Sequence, residues 1–322
     1  MREGPPARFN VRVSLPPYLT SRPLTRTDAP DVHGLMAAQE LAVLGRVEIE
    51  EADIVADWQR PSFDVGASTI GVVEDGRLVG YAEITDTERG DAAVHPDRQG
   101  RGIGAFLAEW MQREARRRGY AVVGMPVPQG GPGDRLLTAL GYHVRWTSWV
   151  LRLPPGAQVP RRPLPQGWAV GPASPERLAE AHRVVEDAFG EWTTREPESL
   201  ADFEAQTVRR PGFAPWMLRV ATGPDGDVGA VAVVQLAPDG EAFVSRLATR
   251  ADLRHRGLAQ ALLVDAFAAG REHGATAYGL STDSRTGALD LYRKVGMEVT
   301  DVWLHRAIRL DDGPEAPQRS TA

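Results

Sequence analysis

Leu247-Ala248-Thr249-Arg250-Ala251-Asp252-Leu253-Arg254-His255-Arg256-Gly257-Leu258-Ala259 reads as the end of a buried strand, a basic turn holding a glycine, and the start of a helix. Leu262, Leu263, Ala266 and Phe267 follow at helical spacing, so the helix runs from Leu258 to about His273. A turn of this kind leaves backbone N–H groups at the helix start without acceptors. Those donors, together with the positive end of the helix dipole, suit a phosphate group. Gly257 lets the backbone approach a ligand closely, and Arg254 and Arg256 add positive charge.

The stretch has an earlier counterpart. Val94-His95-Pro96-Asp97-Arg98-Gln99-Gly100-Arg101-Gly102-Ile103-Gly104 also runs strand, basic turn, helix. Gly102 answers to Gly257, Gly104 to Ala259, and Leu140-Gly141-Tyr142 to Val295-Gly296-Met297, each pair separated by 155 positions. A displacement held over some forty residues is an internal repeat.

Bulk properties bound what the repeat can do. A length of 322 residues suits two ordinary domains, and 42% hydrophobic residues give each a core. The net charge of −6 argues against a nucleic-acid partner. With no cysteine, disulfides, thiol catalysis and thiolate metal sites are excluded. The seven histidines show no metal spacing. No stretch approaches the ~18 apolar residues of a membrane span, and Met1 to Leu15 lacks the apolar centre of a signal peptide. The expected compartment is the cytoplasm, with no membrane partner.

Along the chain both halves give one order: helix, helix, hairpin, strand, helix, strand, helix, strand. In the first half, Thr27 or Asp28 starts a helix with Leu35, Met36, Leu41 and Leu44 on its apolar side, and Glu50 to about Trp58 is a second helix. Ser68–Val73 and Leu78–Ile84 form a hairpin, Ala92–Val94 enters the turn, Ile103 to about Arg118 is a helix, and Trp149–Leu153 reads as an edge strand. Arg113, Arg116, Arg117 and Arg118 read as a solvated helix end. Pro154 to Pro165 holds five prolines and reads as an extended linker. The pattern resumes with a capped helix at Ser174 and the hairpin Trp216–Thr222/Val228–Leu236. The expected fold is α+β: two tandem domains, each a mixed, mostly antiparallel sheet flanked by helices. The expected boundaries are 1–153, a linker at 154–166, 167–310, and a disordered tail at 311–322. Residues 1 to about 20 are expected to be an arm or early edge strand.

Gln/Arg-x-x-Gly-x-Gly/Ala between strand and helix resembles the acetyl-CoA pyrophosphate loop of the GNAT superfamily of N-acetyltransferases. Gln99 to Gly104 and Arg254 to Ala259 both fit it, in register. Leu291-Tyr292-Arg293-Lys294-Val295-Gly296-Met297 is similar to that family's Leu-Tyr-x-x-x-Gly-Phe on the last helix. The resemblance implies that acetyl-CoA is a co-substrate, that no metal is needed, and that the acceptor is a small-molecule amine. It puts the thioester and pantetheine against Leu247, Ala248 and Thr249, and against Ala92 and Val94 in the first half. The pyrophosphate falls on Arg254 to Ala259, and on Gln99 to Gly104.

Proton supply separates the halves. Tyr292 stands where the family's tyrosine donates to the coenzyme A thiolate; a phenol of pKa ~10 facing a thiol of ~8.5 is a workable acid. The corresponding position in the first half is Leu137, which has no proton to give. The second domain is therefore expected to be catalytic and the first not, whether or not the first holds acetyl-CoA. The family often has asparagine before the last helix; here Asp283-Ser284-Arg285-Thr286-Gly287 stands there, with Ser284 or Thr286 as substitutes. Glu241, Glu191 and Asp283 are the candidates to deprotonate the amine, Glu241 foremost. Trp192 and Trp216 are candidates to line an acceptor pocket, and His255 to add a contact in the loop. Arg246 faces either a substrate anion or solvent. Three alternatives stay open: an enzyme like mycothiol synthase, a peptide or protein N-acetyltransferase, and a non-catalytic acetyl-CoA-binding module. The oligomeric state is monomer or homodimer.

Overall fold

The computed structural model describes residues 14–85, 88–191 and 196–310. The expected tail 311–322, most of the expected N-terminal arm, and Trp192 lie outside the described residues.

The first half runs β1 (Thr20–Arg22), α1 (Ala29–Leu44), α2 (Glu51–Trp58), α3 (Val65–Ser68), β2 (Thr69–Glu74), β3 (Arg77–Ile84), β4 (Gly90–Val94), α4 (Ile103–Arg117), β5 (Val122–Pro128), α5 (Pro132–Ala139) and β6 (His143–Arg152). The second runs β7 (Ala169–Pro172), α6 (Leu178–Gly190), α7 (Leu200–Gln206), β8 (Leu218–Thr222), β9 (Val228–Leu236), β10 (Glu241–Thr249), α8 (Leu258–Glu272), β11 (Ala277–Asp283), α9 (Leu289–Lys294) and β12 (Glu298–Arg309). The β2–β3 hairpin closes through Asp75 and Gly76, both at positive φ, the twist that a two-residue hairpin turn needs. In α1 the buried residues are Ala29, Val32 and Leu35, whereas Leu41 is exposed; the apolar side is shorter than its sequence suggests.

The strand order holds the main surprise. One sheet is β1-β2-β3-β4, all antiparallel; the other is β5-β12-β6-β11-β10-β9-β8-β7, with β10 and β11 parallel. Within the eight-stranded sheet the last strand of each half is therefore hydrogen-bonded to a strand of the other half. β12 pairs with β5 from Trp303↔Pro128 to Arg309↔Val122, and β6 pairs with β11 from Gly279↔Arg152 to Asp283↔Ser148. The expected edge strand Trp149–Leu153 is corrected: it lies inside the sheet, hydrogen-bonded on one side to β11 and on the other to β12. The expected boundary at 153 accordingly falls at the end of a strand that completes the second half's sheet.

In each half the sheet opens into a wedge. β10 and β11 pair from Glu241↔Ala277 to Val244↔Leu280; beyond that β11 continues beside β6, and β10 bulges at Ser245. In the first half, among the described residues, one parallel bridge, Arg89↔Gly124, joins the approach to β4 with β5, and the two strands then part. Helices α4 and α8 pack across these wedges. Ile103, Leu107, Ala108, Met111 and Ala115 of α4 are buried, as are Leu258, Leu262, Leu263, Ala266 and Phe267 of α8. Each large aliphatic among them contributes about 1.5–3 kcal/mol by leaving water. The linker is not free-running. Val159 is buried in the second half's core, and Ala157 and Leu164 pack against it.

Candidate active site

Both basic turns take the same backbone path. Gly102 and Gly257, at φ +84° and +86°, precede the first turns of α4 and α8, and no side chain caps either helix. The left-handed φ suits glycine, and the uncapped first turn leaves N–H donors pointing outward. Two residues before, Gly100 is also left-handed at φ +76°, and its counterpart His255 sits at φ +63°. Histidine tolerates that region better than most side chains do.

The two turns open onto one cavity of about 1450 Å³. Its walls are the wedge strands and the helix starts of both halves; its floor comes from the exchanged strands, through Trp146, Ser148 and Val150 of β6 and Trp303 and His305 of β12. Leu247, Ala248, Thr249, Arg254, His255, Gly257, Leu258 and Ala259 line it, as do Val94, Gln99, Gly100, Gly102 and Gly104. Arg256, Arg101 and Ile103 do not. Arg256 donates to the Asp252 carbonyl, Arg101 pairs with Glu74, and Ile103 is buried in the core.

Tyr292 of α9 lines the cavity, and with Leu247 and Ala259 it borders a side pocket of about 10 Å³. The ring thus stands beside both the strand and the helix start of the second half. Burial pushes its hydroxyl up to about 12, and no described residue hydrogen-bonds to it. Leu137 of α5 lines the first half of the same cavity. There the N–H of Val94 donates to the side chain of Gln39 at 2.9 Å, so a side chain of α1 occupies one strand amide.

Two other residues named from sequence take different places. Glu241 is outside the cavity lining: Arg152 grips it through two bonds of 2.8 and 3.0 Å, and the same guanidinium reaches Glu48 and Asp301. Glu241 thus ties β10 to the exchanged strand β6. Ser284 also stays off the cavity, exchanging backbone and hydroxyl bonds with Thr147 of β6. Thr286 lines the cavity instead, its hydroxyl bonded to that of Thr282.

Of the other carboxylates, Glu191 is drawn into a pair with Arg254, which holds its pKa below the ordinary value. Asp283 does line the cavity, held by Arg285. Trp216 packs on His273, ring centroids 4.3 Å apart, away from the cavity. Arg246 is partly buried off the cavity lining, where it pairs with Glu198 and hydrogen-bonds Gln206.

The cavity also holds residues that no motif announced. Glu40 and Asp91 line it, and burial raises both carboxyls above their usual range. Arg285 lies over Trp146, whose other face stacks on His305 at 3.6 Å. Burial, and then the charges of Arg89, Arg145 and Arg285, push the His305 imidazole down to about 3, so it is neutral. His305 Nδ1 and the Thr249 hydroxyl are buried without partners among the described residues. No signal in the local sequence marks Trp146 or His305, because they meet across the two halves of the chain. Arg162, from the linker, lines the cavity as well.

A family model for the acetyltransferase (GNAT) family matches residues 34–128 and again 179–297. The chain belongs to the GNAT acetyltransferase family. Its two GNAT regions coincide with the two turn-and-wedge units, and the enzyme is an acyltransferase of the N-acetyltransferase kind. A mycothiol acetyltransferase of Nocardia farcinica (strain IFM 10152) is 30% identical over 244 residues, covering 69% of this chain and 76% of that protein. One of Salinispora arenicola (strain CNS-205) is 34% identical over 103 residues, which is 29% of this chain and 31% of that protein. The crystal structure of a GCN5-related N-acetyltransferase from Sphaerobacter thermophilus superposes with a TM-score of 0.71 at 25% identity, covering 94% of this GNAT chain and 99% of that one.

Proposed function

We propose that this GNAT protein transfers the acetyl group of acetyl-CoA to the amine of a small molecule, and that the second half carries out the chemistry. One observation carries the reading: both phosphate-type turns open onto a single cavity, and among the described residues only the second-half turn has a phenol beside it, Tyr292. The first half offers Leu137 at that place and has Gln39 on a strand amide. At about 1450 Å³ the cavity exceeds the roughly 300–1,000 Å³ of a single drug-sized site, so donor and acceptor fit together.

The diphosphate of the donor lies on the free N–H groups from Gly257 onward, and the pantetheine runs along the open edge of β10. A strand N–H hydrogen-bonds the thioester oxygen as it gains negative charge. The amine nitrogen attacks the carbonyl carbon, the C–S bond breaks, and the thiolate takes the hydroxyl proton of Tyr292. Asp283 is the carboxylate from the sequence-based set that is positioned to receive the amine's proton, directly or through water.

A second reading narrows the acceptor. The similarity to mycothiol acetyltransferases favours an acceptor related to mycothiol, and the cysteinyl pseudodisaccharide is the compound that tests this. Incubation with acetyl-CoA and a panel of amines that includes this compound, read by mass spectrometry, tests both. Acetylation of a small amine supports the general reading, and preference for the cysteinyl compound supports the narrower one. Acetylation of peptides alone, or of nothing while acetyl-CoA binds, would replace them.

A further inference from the structure

The loop's own arginines are largely committed to the protein. Arg254 forms a two-bond pair with Glu191, Arg250 pairs with Asp252, and Arg256 donates to the Asp252 carbonyl. A cation does reach the second-half turn, from outside it. Arg162 belongs to the proline segment between the halves, and its side chain lies over Gly257: a Cβ placed there would come within 2.9 Å of Arg162 Cδ and 3.2 Å of its Nε. Arg162 lines the cavity and makes no hydrogen bond or ion pair among the described residues.

The segment that carries it is anchored on both sides. Val159 is buried in the second-half core, Leu164 packs against that core, and the Pro160 carbonyl accepts a 2.7 Å bond from the side chain of Gln260 in α8. Prolines at 160, 163 and 165 stiffen the path between these anchors. The guanidinium is thus delivered by a strap laid across the start of α8, above the amides that face the cavity.

We propose that Arg162 is a donor-binding residue of the second-half site, its guanidinium contacting a phosphate of acetyl-CoA held at the Gly257 turn. The planar fork matches phosphate oxygens, and little ordering is needed because the strap is already docked. The inference rests on the reading of that turn as a donor site. It explains why a cation without a partner among the described residues is held over a glycine whose neighbouring arginines are already engaged.

The test is calorimetric titration of the full chain with acetyl-CoA, set against acetyl-pantetheine, which lacks the diphosphate and nucleotide, titrated by NMR. Arg162→Ala should weaken acetyl-CoA about tenfold, one charge-assisted contact, and leave acetyl-pantetheine unchanged. Arg162→Lys should lose less, and Arg161→Ala, the neighbouring linker arginine off the cavity, nothing. A Gly102→Val background keeps the reading on the second turn. An unchanged acetyl-CoA affinity in Arg162→Ala, or an equal loss for both donors, overturns the proposal. A wild-type chain that binds no acetyl-CoA would instead remove the donor reading beneath it.

Discussion

Tyr292 shows what burial does to a proton donor. Taken out of water with no described partner, its hydroxyl is pushed up to about 12, so it stays protonated across the neutral and mildly alkaline range. Tyr292→Phe should therefore cut turnover about a hundredfold or more while acetyl-CoA affinity holds. Steady-state rates and calorimetry on the same variant separate the two, and unchanged turnover would end its acid role. Glu83 tests burial in the opposite setting. Trp58 and Tyr81 donate to its carboxylate, yet burial first, and then the charge of Asp57, raise it to about 7. A folded value above the unfolded one means that its contribution is complete below about pH 4.5 and fades as pH rises through 7. Glu83→Gln should flatten that slope in thermal melts between pH 5 and 8. At this scale the sequence motifs led to residues that lie together: Gly257, Gly102, Tyr292 and Leu137 all line the cavity. The sequence did not show that Glu241 and Ser284 lie off the cavity lining, because their partners Arg152 and Thr147 are more than eighty positions away.

The turn before α8 combines a left-handed glycine with an uncapped first helical turn. A β-branched side chain at φ +86° is strained by about 1–3 kcal/mol and meets Arg162 as well. Gly257→Val is expected to abolish acetyl-CoA binding at the second-half site while the protein remains folded, by circular dichroism and calorimetry together. Retained binding would show that the turn is not the donor site. Elements of this kind were readable because strand, turn and helix are written within a dozen consecutive residues. The pairing of β6 was not. Alternation over Trp149 to Leu153 gives a strand and its faces, but it does not state which strands flank it. Those neighbours, β11 and β12, lie more than a hundred residues downstream.

For the whole molecule the exchange of β6 and β12 joins the halves more firmly than a linker could. Arg152 alone binds residues from α2's approach, β10 and β12, through Glu48, Glu241 and Asp301. Calorimetry should accordingly record one cooperative unfolding transition for the full chain, and residues 167–310 expressed alone should give none. Two separate transitions would mean that the halves are stable independently. The repeat at 155 announced two units; that each lends a strand to the other was beyond reach of periodicity, because symmetric and exchanged pairings bury the same side chains. The exchange also sets the timetable of synthesis. As the ribosome releases the first half, β5 waits without its neighbour, β12, which follows only after the other strands of the second half. An unpaired strand edge is adhesive. The nascent chain must therefore be shielded, or quick, through most of its translation, and a stop codon placed just before β12 would cost the cell both halves at once.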